Sequence, residues 1–227
     1  MGSLILHSSI QSHTCGCTLS TTATMIWRFV LSLRNYIKNY FFPHGQSEDC
    51  KNLHFKKICS AGQDIQNTDL LLEQRILAVH HIGILAYTGG YEGATCASEY
   101  MPVMAAFLKE PSLSDYQRIM ALEGLSGICY LNLTNQNVAK FLGVVTTLQE
   151  LLDPACPLAP STKAQMWSCY LMKILCCNNI PLIRTMVSSE VLRQNLEGLA
   201  GKDWCGWPKN FARELLCILG YQTFTTS

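Results

Sequence analysis

The sequence predicts an all-α fold built as an array of helical repeats, on three observations. The first is a recurring buried-helix pattern. Over Gln117–Tyr130 the apolar residues fall at Ile119, Leu122, Leu125 and Cys129, with Ala121 and Ile128 on the flanks. That is the stripe of a helix buried on more than one side. About 43 residues upstream, Gln74-Arg75-Ile76-Leu77-Ala78-Val79 followed by Ile82, Leu85, Ala86 and Tyr87 repeats it. Ala164-Gln165-Met166-Trp167-Ser168-Cys169 with Met172, Leu175 and Cys176 repeats it again roughly 47 further on. The second is that no alternating apolar and polar run is bounded by a hairpin turn. The third is composition: 48% hydrophobic and 15% charged residues in 227 supply a substantial core and argue against global disorder.

Residues 1–23 are crowded with Ser and Thr and lack either periodicity, so they read as a disordered tail. Met1-Gly2-Ser3 starts like a myristoylation signal, but Leu6 stands where Ser or Thr is needed. Over Thr24–Phe42, Ile26, Phe29, Val30, Leu33, Tyr36, Ile37, Tyr40 and Phe41 share one face, which predicts an amphipathic helix over residues 24–42, capped by Thr24 and stopped at Pro43. Its apolar face is expected to dock on the array as a lid, because end repeats need covering. The alternative is a peripheral helix resting on a membrane surface, with Cys15 and Cys17 upstream as acylation candidates. For a mitochondrial presequence the first basic residue, Arg28, arrives late. Residues 43–67 mix Gly, Gln, Asn and charges and read as a linker, with at most a short helix around Leu53–Cys59.

From residue 68 the periodic part begins, and it is expected to extend to 221 before a short polar tail over 222–227. Thr68 or Asp69 caps a helix running to Tyr87 and stopped by Gly89-Gly90. A short helix over Glu92–Ser98 and another over Met101–Leu108 follow, ending at Pro111. Ser114 caps the reference helix, which runs to about Asn132. The pattern then renews itself: Asn137–Leu142, a break at Gly143, Val144–Leu152, and the stop Asp153-Pro154. Ser161 or Thr162 opens the third long helix, closed by Asn178-Asn179. Pro181–Val187, Ser189–Leu199 and a last helix over Asn210–Leu219 complete the reading.

The stretch Asn137-Val138-Ala139-Lys140-Phe141-Leu142-Gly143-Val144-Val145-Thr146-Thr147-Leu148-Gln149-Glu150-Leu151-Leu152 resembles the first two helices of an armadillo repeat: Asn, an apolar pair, Gly at the corner, then a Leu-rich helix ending in Leu-Leu. Gln117, Ala121-Leu122, Leu125 and Ile128 resemble the core positions of that family's third helix. The resemblance implies a short armadillo-like α-solenoid, about three three-helix repeats after one leading long helix, over roughly residues 70–221. Armadillo proteins that grip extended peptides carry a ladder of Asn on each third helix with Trp one turn earlier. Here the Asn positions hold Ile84, Gly127 and Ile174, and the Trp positions hold His80, Glu123 and Tyr170. That mode of binding is therefore not implied, and Gln117–Tyr130 is expected to be the structural spine of the array rather than its binding site.

Motifs of catalysis and ligation are weak throughout. Gly124-Leu125-Ser126-Gly127 lacks the second Gly of a nucleophile elbow, since Ile128 stands there, and it sits on a helix; Ser126 reads as a packing residue. Gly89-Gly90-Tyr91-Glu92-Gly93 has no Lys-Ser/Thr of a phosphate loop. His80 and His81 point about 100° apart on a helix and cannot share one metal. Cys15-Gly16-Cys17 and Cys176-Cys177 lack zinc-site spacing. Twelve Cys without a secretory signal read as reduced thiols of an intracellular, cytoplasmic protein, and the sequon Asn132-Leu133-Thr134 then carries no sugar. A net charge of +1 and scattered Lys and Arg give no nucleic-acid footprint.

The expectation is a non-catalytic protein-interaction module, scaffold or adaptor, without cofactor or metal and with an unnamed protein partner; the oligomeric state stays open. The alternative is a peripheral membrane protein held by residues 24–42. Contact candidates are Trp204 and Trp207, in the loop Trp204-Cys205-Gly206-Trp207-Pro208, and Ile26, Phe29, Val30 and Leu33 on the amphipathic face. The two Trp are more readily read as a cap on the last repeat.

Overall fold

The computed structural model describes residues 48–158, 160–204 and 206–221. The Ser/Thr-rich segment over 1–23 and the amphipathic helix expected over 24–42, with Ile26, Phe29, Val30 and Leu33, lie outside the described residues. Those described form α-helices and turns with no strand among them. In order these are α1 (Glu48–Gln66), α2 (Leu72–Thr88), α3 (Gly90–Ala97), a 3₁₀ turn (Ser98–Tyr100), α4 (Met101–Leu108), α5 (Asp115–Cys129), α6 (Leu133–Phe141), α7 (Val144–Leu152), α8 (Thr162–Cys176), α9 (Ile180–Val187), α10 (Glu190–Ala200) and α11 (Phe211–Ile218).

The linker expected over 43–67 is corrected: most of it is α1. Its buried residues are Ile58, Ala61 and Ile65, at helical spacing, and they join the main core. Small residues carry part of the stripe, which weakens its signal in the sequence. Gly62 lies so close to the Tyr100 ring that a Cβ there would stand 2.1 Å from it. α2 begins at Leu72, later than the expected Thr68 or Asp69 cap, because Asp69 N–H bonds instead to Asn67 Oδ1 at 2.9 Å in a turn.

The helix expected from Asn137 begins earlier, at Leu133. Asn132 caps it, accepting from Asn135 N–H at 3.0 Å. Its inward face is polar at Asn135 and Gln136, so apolar periodicity does not reveal that turn. These buried amides join successive helices. Asn135 Nδ2 donates to Ala94 O (2.8 Å) and Ile128 O (3.0 Å), and Gln136 Nε2 donates to Ile174 O (3.1 Å). Asn179 Nδ2 donates in turn to Gln136 Oε1 and Asn137 Oδ1.

Two corners repeat one design. After Cys129 the chain turns through Leu131 (φ +51°) into the capping Asn132; after Cys176 it turns through Asn178 (φ +58°) into the capping Asn179. Gly143, at φ +76°, makes the sharp bend between α6 and α7, where a side chain would be strained.

Three long helices and the last short one stack in a row: α2 packs on α5, α5 on α8, and α8 on α11. At the first crossing glycines bring backbone to backbone. A Cβ on Gly127 would stand 2.2 Å from Gly83 O, and one on Gly83 would stand 2.4 Å from Gly124 Cα. His80 pairs with Glu123, Gly83 meets Gly124 and Gly127, and Tyr87 meets Tyr130, so α2 and α5 run in the same direction. Ser161, the cap of α8, donates its N–H to Asp115 Oδ1 (2.9 Å) and its hydroxyl to Asp115 Oδ2, which aligns the start of α8 with the start of α5.

Candidate interaction cleft

The outer turns of α2, α5 and α8 line a cleft of about 280 Å³. α2 contributes His80, Gly83, Ile84 and Tyr87; α5 contributes Glu123, Ser126, Gly127 and Tyr130; α8 contributes Trp167, Tyr170 and Ile174. Each helix thus presents residues three or four apart, the spacing of one face. The small residues at the α2–α5 crossing form the floor, and the larger side chains one turn away stand along it.

The cleft is apolar and aromatic, with one acid. Tyr87 (57% exposed) and Tyr130 (41% exposed) meet edge to face, with centroids 5.1 Å apart. Trp167 and Tyr170 form a second edge-to-face pair at 5.3 Å. Burial pushes the Tyr170 phenol above its ordinary pKa, and the neighbouring phenols of Tyr130 and Tyr87 add to the shift. His80 Nε2 lies 2.9 Å from Glu123 Oε2, and no Lys or Arg is among the lining residues. Trp167 Nε1 is shut off from solvent without a hydrogen-bond partner among the described residues.

The rings continue beyond the cleft. Tyr170 meets Phe211 of α11 at 5.1 Å, and Phe211 meets Trp207 at 6.4 Å. Beside them Lys173 Nζ lies 5.2 Å from the Phe211 ring centroid and 2.5 Å from Glu214 Oε2.

A model of the armadillo-like helical domain-containing protein 2 family matches residues 10–223. The chain belongs to that family. Neither a curated protein nor a solved structure matches it. The family accords with an α-solenoid of helical repeats, and such arrays commonly serve as protein-binding surfaces.

The site candidates divide. Trp204 is corrected from a contact to a core residue: it is 3% exposed, and its indole N–H donates to Leu199 O at 3.3 Å, holding the α10–α11 loop down. Trp207 is half-exposed and joins the cleft only through Phe211 and Tyr170. Neither lines the cleft. The residues at the missing ladder positions do: Ile84, Gly127 and Ile174, with His80, Glu123 and Tyr170. α5 is the spine expected of it on one face, which packs the core, while another face lines the cleft.

Ser126 donates its hydroxyl to Leu122 O at 2.8 Å and is buried, a packing arrangement. Burial pushes the thiols of Cys129 and Cys176 up to about 12 and that of Cys169 further, so they stay protonated and unreactive. Among the described residues no group of three or more His, Cys, Asp or Glu could hold a metal ion, and no helix is long and apolar enough to cross a membrane.

Proposed function

We propose that the chain is a non-catalytic protein-interaction module whose partner binds in the α2–α5–α8 cleft. The observation that carries this is the gathering of exposed aromatic and aliphatic side chains in one cleft: Ile84, Tyr87 and Tyr130 are all well exposed there, beside Trp167 and Tyr170. Exposed apolar surface concentrated in this way marks interaction sites, and rigid aromatic rings supply contact area at low entropic cost. Family membership supports the same reading, because helical arrays present such surfaces.

We read α3–α5, α6–α8 and α9–α11 as three successive three-helix units behind the pair α1–α2. The repeated corners at Leu131 and Asn178 and the row α2, α5, α8 and α11 support that count. The partner is another protein, taken in a reducing, intracellular setting that suits the free thiols of the described residues, Cys129, Cys169 and Cys176 buried among them.

The test places a photoreactive amino acid at Tyr87 or Tyr130 of the full chain, with Tyr116, which is exposed and off the cleft, as control. Cross-linked protein adducts confined to the two cleft positions are expected. Equal capture at all three, or none at the cleft, would refute the assignment.

A further inference from the structure

We infer that the cleft takes a basic side chain, lysine or arginine, presented by a peptide segment of the protein partner. This rests on the reading of the cleft as the interaction surface and adds the chemistry of the occupant.

One step along the row of helices the chain holds a cation of its own: Lys173 sits over the Phe211 ring at 5.2 Å and is paired with Glu214. A ring face attracts the cation and a carboxylate balances it. The cleft contains the same two components, with the His80 ring rather than a Lys or Arg beside the carboxylate. Glu123 is its acid, four aromatic rings line it, and no Lys or Arg is among its lining residues. Among the described residues His80 alone pairs with Glu123, at one carboxylate oxygen, leaving the other oxygen as an acceptor.

Charge complementarity therefore selects against an acidic occupant and favours a cationic one. An ammonium or guanidinium lodged between aromatic rings and a carboxylate gains both attractions in a partly desolvated site. Lysine and arginine share the charge, and arginine adds a planar fork that stacks on rings and pairs a carboxylate at two points.

The experiment selects ligands for the full chain from a randomised twelve-residue peptide library. Selected peptides are resynthesised with each Lys replaced by acetyl-lysine or each Arg by citrulline, and titrated against the full chain and its Tyr87→Ala and Glu123→Gln variants. Tyr87 is exposed and the Glu123 side chain is 26% exposed, and unchanged thermal midpoints establish that the variants fold. Selected peptides are expected to contain a basic residue whose neutralisation weakens binding by about tenfold or more. Glu123→Gln should cause a comparable loss for the basic peptide and no further loss for the neutralised one. Ligands that depend on Tyr87 but tolerate both neutralisation and Glu123→Gln would overturn the cation inference while leaving the cleft as the binding surface. A library that yields no ligand sensitive to Tyr87→Ala would overturn the cleft reading as well.

Discussion

Gly127→Ala and Gly198→Ala are the same substitution within helices, and the structure gives them opposite signs. A methyl group on Gly127 would stand 2.2 Å from Gly83 O and 2.8 Å from Gly83 C, both backbone atoms of α2. Carbon–oxygen contacts relax at about 3.3 Å, so α2 and α5 must separate by roughly 1 Å. Overpacking of this kind costs about 1–3 kcal/mol. The gain in helix propensity returns at most ~1 kcal/mol. In a domain of this size each kcal/mol moves the midpoint by about 2–4 °C, so a fall of up to roughly 8 °C is expected, and no rise. Gly198 is exposed in α10, and a methyl group there would meet nothing within 4 Å. At that position the propensity gain of up to ~1 kcal/mol stands alone, raising the midpoint by a few degrees. Thermal unfolding followed by far-UV circular dichroism reads both. If Gly127→Ala stabilises as Gly198→Ala does, the backbones of α2 and α5 are not in contact and do not form the floor of the cleft.

Three further outcomes are expected. Leu131 is exposed at φ +51°, where Asn178 stands at the sister corner, so Leu131→Asn should raise stability by about 1 kcal/mol in urea unfolding. Asn135→Ala removes the donor to the buried carbonyls of Ala94 and Ile128 and should cost about 1–3 kcal/mol; a neutral result would mean that α6 is not held by its amides. The third concerns pH. Cys129 and Cys176, with folded pKa values raised to about 12, stay protonated while the unfolded thiols ionise from about 8.5. The stabilisation is present below the unfolded pKa and is lost as pH rises toward the folded one, at up to about 1.4 kcal/mol per pH unit for each thiol. Urea unfolding between about pH 8.5 and 10.5 measures the slope, and a Cys129→Ala variant should lessen it.

Much of the array is legible in the sequence because large apolar residues mark it. α4 and α7 fall on the boundaries read from Met101–Leu108 and Val144–Leu152, and the Ser114 and Ser161 caps stand where capping chemistry puts them. Elements held by small or polar residues are harder to read. α1 buries a narrow Ile58, Ala61 and Ile65 stripe, and the first turn of α6 faces inward with Asn135 and Gln136. The cleft is hidden for another reason. A ladder of Asn and Trp is a property of single positions, whereas the cleft depends on pairing across helices, such as His80 with Glu123 and Tyr87 with Tyr130. That register follows from Gly83, Gly124 and Gly127, which taken singly look like ordinary packing residues.

The glycine crossing also makes the cleft compliant on one side only. Where α2 meets α5 the contact is main chain on main chain, so no rotamer change can widen it. α8 contains no glycine and faces α5 through side chains, among them Trp167 and Tyr170, which can adjust. A guest in the proposed site would therefore be accommodated by displacement of the α8 wall, with the α2–α5 wall as the fixed reference against which its fit is gauged.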